Sequence, residues 1–421
     1  MPAQVNKKQL LKEIGRLTAV AEYASVPARR RRQGSKAWGD RRSTVAFVGE
    51  NLRVFEEVVA AFWSAKPDMP LTTDRKAFEY PLVQLLRTLR SANRQAIPSD
   101  VDDVFAMVEA EPVGEYEVFQ PIFGATWDAG GATPLEFGPF TVYHRTAHRS
   151  HLEAKYPACD PRWLARDLDD FDSDLLVSTI VRARDRDAIN GIAERRLHRF
   201  ENLIVFMMSR LDGTYDFAVF DPKPRRSVQH LCLSAGLPQP LAGWRAVGPV
   251  LAVDLAATHW TNPNLGFDRL WDLARADIAT ARPNKDDLLR ERILNAVDWT
   301  AKGLRDELSD RQFVQFMFAL EALLSSGDRD VPLTSRLAEF TAHIVGGGQD
   351  RRIAHDKEVR HLYQVRSDIA HGRVQEASPA DRVLARDVVN TVIVRLLTHK
   401  ELGTMQLMTE LERWIERRRY G

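Results

Sequence analysis

The sequence predicts a multidomain α+β protein with a helical N-terminal region, a β-rich middle domain and an all-α bundle at the C-terminus. Three observations predict it. The chain has 421 residues, more than the roughly 250–300 that one core accommodates. Apolar residues recur at helical spacing up to about residue 110 and again past Thr261. Between those regions, short β-branched and aromatic runs are separated by Gly, Pro and Asp. The expected boundaries are 1–110, 111–262 and 263–421.

Taken in order, residues 5–23 have the spacing of a helix, and PARRRRQGSKAWGDRR then breaks it with Pro27, Gly34 and Gly39 to give a basic loop. Segments 45–63 and 76–92 return to the 3.6-residue period, with Leu82, Leu85, Leu86 and Leu89 forming one stripe. From Glu111 onward, YEVFQPIFGATW, LEFGPFTVY, LLVSTIVRAR, YDFAVF and VGPVLAVDL read as strands, with one helix from Asp187 to Ser209. Past Thr261 the apolar stripes fall at 286–300, 311–325, 333–345, 357–370, 380–398 and 404–416. No internal repeat is present, and the arginine run is the one low-complexity stretch.

Hydrophobic residues at 44% and charged residues at 28% exclude a disordered or fibrous chain. No apolar run approaches the ~18–20 residues that span a bilayer, and MPAQVNKKQLLKEIGRL lacks a signal-peptide core, so a soluble cytoplasmic protein with no membrane partner is expected. Cys159 and Cys232 are too few for a disulfide scaffold. The 59 basic and 58 acidic residues nearly cancel, so a nucleic-acid site must come from local clustering. Forty-seven of the basic residues are arginine, which suits phosphate recognition, although a GC-rich genome produces the same bias. The clusters are Arg29 to Arg32, Arg182 with Arg184 and Arg186, and Arg417 to Arg419. Such runs commonly form plain solvated faces.

Phosphate-loop, dinucleotide, zinc-protease and serine-hydrolase motifs are all missing. DFDSD at 170–174 imitates the start of a calcium loop, but Leu175 and Val181 occupy the positions that need glycine and glutamate. His144, His148 and His151, at i, i+4 and i+7, would align as zinc ligands on a helix, with Cys159 nearby; the competing reading is a polar connector after a strand.

RSDIAHG, Arg366 to Gly372, ends an amphipathic helix whose expected buried stripe is Leu362, Val365 and Ile369. The spacing R-x(4–6)-H alone says little, since about four pairs are expected by chance and four occur: Arg145 with His151, Arg225 with His230, Arg336 with His343, and Arg366 with His371. Context ranks the last first. Gly372 is a natural C′ residue, which puts His371 in the final turn, where the helix dipole favours an imidazolium. Five helical positions turn a side chain by about 140°, so Arg366 and His371 converge only at a frayed end or across a dimer interface. Glu321, in the apolar helix FMFALEALL, needs a cationic partner, and Arg336 and Arg366 are the candidates. It reads as structural, orienting an arginine. Arg336 with His343 reads as packing or surface.

Four blocks in order, DLLRERILNAVDWTAKGL, FVQFMFALEALLSS, PLTSRLAEFTAHIVG and EVRHLYQVRSDIAHG, resemble the HEPN superfamily, specifically its ApeA-like branch of bacterial anti-phage proteins. The resemblance covers about residues 265–400, and PIFGATWDAGGATPLEFGPFTVY is more faintly similar to the β-rich part of those proteins. It implies a helical bundle that forms a homodimer and cleaves RNA, with tRNA among the candidate substrates, without metal or other cofactor. The motif arginine falls on Arg366, the histidine on His371, and the accompanying polar positions on Ser367 and Asp368. It further implies an abortive-infection effector; that the N-terminal regions restrain it until a phage-derived trigger arrives is inferred from the chemistry, since an unregulated cytoplasmic ribonuclease harms its host. The alternative is a non-catalytic dimerisation or protein-binding module built on the same bundle.

Overall fold

The computed structural model describes residues 5–24, 35–39, 44–66, 68–128, 133–209, 217–219, 227–232, 241–246, 252–279, 288–306, 308–325 and 331–420. The run Arg29 to Arg32 and the pair of Arg225 with His230 lie outside the residues whose side chains are described, as do parts of the expected strands at 215–220 and 247–255. The chain forms two compact units, residues 1–118 with 180–195, and residues 119–179 with 196–421.

The first unit holds α1 (Lys7–Val20), β1 (Glu22–Ala24), β2 (Ser35–Gly39), β3 (Thr44–Val48), α2 (Glu50–Ala65), α3 (Met69–Thr72), α4 (Glu79–Ala92) and α5 (Pro98–Glu109). Its leucine stripe is buried as the spacing requires, at Leu82, Leu85, Leu86 and Leu89. The region also contains an antiparallel sheet in the order β1-β3-β2, where helix was expected. The reason lies in TVAFV: Val45 and Phe47 point inward two residues apart, the period of a strand, and the helical period of this segment starts only at Glu50. Trp38, Phe47 and Phe55 join strands to helix, with Phe47 stacked on Phe55 at 4.6 Å. Asp100 closes the start of α5: it takes both arms of Arg94 at 2.7 Å and the Ile97 amide at 2.7 Å, and the Arg94 pairing holds its carboxyl below the usual range. Arg184, one of the clustered arginines, donates to the Glu109 and Glu111 carbonyls and is structural.

The following elements are β4 (Gly114–Phe123), β5 (Ala125–Thr126), β6 (Leu135–Phe137), β7 (Phe140–His144), α6 (Arg149–Lys155), α7 (Pro161–Asp169), β8 (Leu175–Ala183), α8 (Arg186–Met208), β9 (Ala218–Val219), β10 (Ser227–Cys232), β11 (Leu241–Ala246) and β12 (Val253–Asp254). The division between the units falls within β4, β8 and α8. The five-stranded sheet runs β6-β7-β8-β4-β9, with antiparallel registers Leu135↔Val142, Val142↔Val177 and Ile122↔Val219.

Among the described residues, seven helices complete the second unit: α9 (Phe267–Ala279), α10 (Leu289–Arg305), α11 (Ser309–Leu324), α12 (Leu333–Val345), α13 (Gln349–Ala370), α14 (Pro379–Thr398) and α15 (Met408–Tyr420). The fold is therefore mixed and mostly helical, with an antiparallel sheet. Phe137 and Phe140 of the sheet pack against Phe200 of α8 and Trp271 of α9, with ring centroids 5.2–6.3 Å apart. A charged set then fastens α8 to α10. Arg305 pairs with the buried Glu201 at 2.7 Å and also with Asn202, while Asp298 accepts from Asn202 at 2.8 Å and pairs with Arg199 at 3.0 Å. Partnering of every member is what makes such burial tolerable.

Candidate functional site

Helix α13 is 22 residues long, and only Val359 and Leu362 are fully buried on it. Val365 and Ile369, expected to continue the stripe, are half-buried. From this helix Arg366 turns toward α11. Its Nε lies 3.2 Å from Glu321 Oε1, and its guanidinium sits 5.5 Å from the Phe318 ring and 5.8 Å from that of Tyr363. Phe318 is in turn braced edge-on by Trp299 of α10 at 5.3 Å. Of the two candidate partners for Glu321, the structure thus selects Arg366, while Arg336 is buried in α12.

The pair is coulombic: neither Arg366 Nε nor Glu321 Oε1 makes an aligned hydrogen bond. Burial raises the Glu321 carboxyl above its ordinary range, and the Arg366 charge opposes that rise without cancelling it. Among the described residues no acceptor engages the terminal nitrogens of Arg366. The guanidinium is held along one edge and by its faces, and its far edge is available to an anion.

At the end of α13 the backbone closes in a Schellman turn. The Arg373 amide donates to the Asp368 carbonyl at 2.8 Å and the Gly372 amide to that of Ile369 at 3.0 Å, with Gly372 at φ +68°. His371 is the C-cap residue, and its ring is exposed. Ser367 accepts the His371 amide at 3.0 Å through its carbonyl. Asp368 is held below its usual pKa, first by the amide of Gln364 at 3.0 Å and then by Arg373 at 3.2 Å. The helix is regular through Ala370, so within one chain Arg366 and His371 stand about 140° apart around the axis. The structure brings Glu321 to Arg366 and keeps His371 separate.

Phe318 and Tyr363 were not anticipated from the sequence. A signal was present: each ring lies three residues, one helical turn, before a charged residue of the site, Phe318 before Glu321 and Tyr363 before Arg366.

The three histidines do not line one helix. His144 ends β7, His148 precedes α6, and only His151 lies within α6. His148 is buried; its Nδ1 accepts the His144 amide at 2.8 Å and its ring stacks on Trp127 at 5.1 Å. Cys159 is exposed. No group of three or more His, Cys, Asp or Glu suited to a metal occurs among the described residues. In DFDSD, Asp174 pairs with Arg145 at 3.0 Å and the Ser173 hydroxyl donates to the Ile122 carbonyl. This side chain and this carboxylate serve the fold. No described helix is long and apolar enough to cross a membrane.

No family model, no curated protein and no solved structure matches this chain.

Proposed function

We propose that the chain is a metal-independent endoribonuclease of the HEPN type, active as a homodimer, whose site combines Arg366 and His371 from facing copies of α13. The observation that carries this reading is the guanidinium of Arg366, fixed by Glu321, Phe318 and Tyr363 with its outer edge open. RNA contains its own nucleophile. One His371 accepts the proton of a 2′-hydroxyl as that oxygen attacks phosphorus. The His371 of the second subunit, as imidazolium, gives its proton to the departing 5′-oxygen as the P–O5′ bond breaks. Each such transfer supplies about 10²–10⁴-fold, and Arg366 stabilises the doubly charged phosphorane through its planar fork. The products are a 2′,3′-cyclic phosphate and a 5′-hydroxyl.

Because a regular α13 keeps the two side chains apart within one chain, this chemistry requires the partner copy. An anti-phage role, with the remainder of the chain restraining the nuclease until a phage-derived trigger appears, extends the same reading. The test is incubation of the purified protein with total RNA and with tRNA in excess EDTA, alongside folded, dimeric Arg366→Ala/His371→Ala. Cleavage by the wild type alone, leaving cyclic-phosphate ends, is expected. Equal cleavage by both proteins would overturn the site. The alternative, a docking module, draws on the incompletely buried α13, and it predicts assembly unaffected by either substitution.

A further inference from the structure

Positive charge also collects at the opposite end of α13. The turn from α12 to α13 passes through Gly346 at φ +77° and Gly347 at φ +100°, backbone conformations that side chains resist. Arg395 of α14 lies beside this turn, with Nη2 3.7 Å from where a Cβ on Gly346 would stand, and Arg352 is in the first turns of α13. From α15, Arg419 pairs with Glu339 at 3.3 Å and Arg418 lies over Trp414 at 4.2 Å.

Arg352 and Arg395 are half-buried, the Nε of each is buried without a partner, and neither side chain makes an ion pair or hydrogen bond to a described residue. Elsewhere in this chain half-buried arginines find acids or carbonyls, as Arg305 does with Glu201, Arg199 with Asp298 and Arg184 with the Glu109 and Glu111 carbonyls. Glu339 of α12 is already engaged by Arg419, and Asp350 stands in the first turn of α13. His343, at the end of α12, senses the crowding. Burial, then Arg352, with Arg418 and Arg419 contributing, pushes its pKa down against the pull of Glu339, and its Nδ1 is buried without a partner. Arg352 and Arg395, each partly desolvated beside the same turn and without an acid partner among the described residues, carry a cost that an anion removes.

We infer that Arg352 and Arg395, aided by Arg418 and Arg419, form a phosphate-binding site that grips the RNA backbone away from the cleaved bond. This deepens the proposed function, because the strand gripped is taken to be the one that is cut. Arg352 and His371 are separated by about 29 Å along α13 at 1.5 Å per residue, roughly the span of eight phosphates of a helical strand at 3.4 Å each. Short oligonucleotides therefore cannot engage both places.

The test uses full-length His371→Ala, so that bound RNA stays intact, and a labelled 30-nucleotide RNA followed by fluorescence anisotropy from 50 to 200 mM salt. Adding Arg352→Gln/Arg395→Gln is expected to weaken binding and to flatten the log Kd against log salt slope by about 1.4, or 0.7 for each phosphate no longer neutralised. A four-nucleotide RNA, too short to engage both places at once, should lose less affinity than the 30-nucleotide RNA. Arg352→Lys/Arg395→Lys should retain most of the slope, and Arg162→Gln/Arg166→Gln, which removes two exposed arginines from α7, should leave it unchanged. If the double glutamine protein does not fold, the exposed pair Arg418→Gln/Arg419→Gln replaces it with the same expectation. Unchanged affinity and slope would overturn the site. Weakened binding of ATP or pyrophosphate with RNA affinity intact would also overturn the RNA assignment, in favour of a free phosphate ligand. Arginine-dependent RNA binding by a wild type that never cuts RNA would leave this site standing and remove the nuclease reading.

Discussion

Glu321→Gln separates the cost of a buried carboxylate from its use. The substitution keeps shape and removes charge. At 3.2 Å from Arg366, the gross attraction at an effective dielectric near 20 is about 5 kcal/mol. Desolvation nevertheless outweighs it, because the Glu321 pKa is raised. The sign follows from linkage. A carboxyl whose folded pKa lies above its unfolded value binds more protons in the native state, so its contribution to stability is complete below the unfolded pKa and is lost as pH rises through the folded one. Glutamine imitates the protonated form at every pH. Glu321→Gln should therefore match wild type in acid and equal or exceed it at pH 8, in urea unfolding of the full chain. Activity should move the other way. An arginine side chain carries about 2 kcal/mol of rotamer entropy; Phe318 and Tyr363 retain part of its ordering. Losing the remaining ~1 kcal/mol of preorganisation lowers kcat/KM for RNA by roughly five- to tenfold. A stable variant with wild-type kcat/KM would refute the idea that Glu321 positions Arg366, and a variant destabilised equally at both pH values would refute the electrostatic reasoning.

Other predictions follow the same geometry. Single Arg366→Ala and His371→Ala proteins should each lose at least about 10²-fold in RNA cleavage; the exposed His371→Ala should keep the wild-type melting temperature, whereas Arg366→Ala, which leaves Glu321 without its cation, should melt lower at pH 8, and cleavage by either at wild-type rate excludes it from the site. Dimers reassembled from equal amounts of wild type and His371→Ala should retain about a quarter of the activity, because only dimers with two intact histidines work, whereas a half-active mixture would mean that each subunit acts alone. Glu201→Gln strips Arg305 of its buried partner and should cost roughly 2–3 kcal/mol by chemical denaturation, less than a fully buried pair because Asn202 still holds the guanidinium. A loss below about 0.5 kcal/mol would show that the α8–α10 set is not a stabilising network. His148→Ala should cost about 2–4 kcal/mol through loss of the Trp127 stack and of the acceptor for the His144 amide; restoration of stability by added zinc would instead indicate a metal role.

Much of the helical half was legible because each helix buries one stripe at a fixed period. The stripe at 333–345 coincides with α12, and that at 380–398 agrees with α14 to within one residue. The strands in LEFGPFTVY and LLVSTIVRAR were legible as short β-branched and aromatic runs bounded by turn residues. Short elements were not. Helices α6 and α7 and the three-stranded sheet of the first unit are too brief for a period to repeat. At 45–63 a strand and a helix abut, and one period masks the other.

The candidate site divides along a similar line. That α13 stops at a glycine, that His371 caps it, and that Arg366 and His371 cannot meet on one regular helix could all be read from the residues alone, because these depend only on positions a few apart and on helical geometry. Three further facts came from the packed chain: Glu321 pairs with Arg366 and not Arg336, His148 is a core residue supporting His144, and Arg352 and Arg395 lie unpaired by the α12–α13 turn. Those facts depend on which side chains distant in sequence share a desolvated space. The partners of a buried charge are set by how the helices pack, and local sequence does not encode that packing.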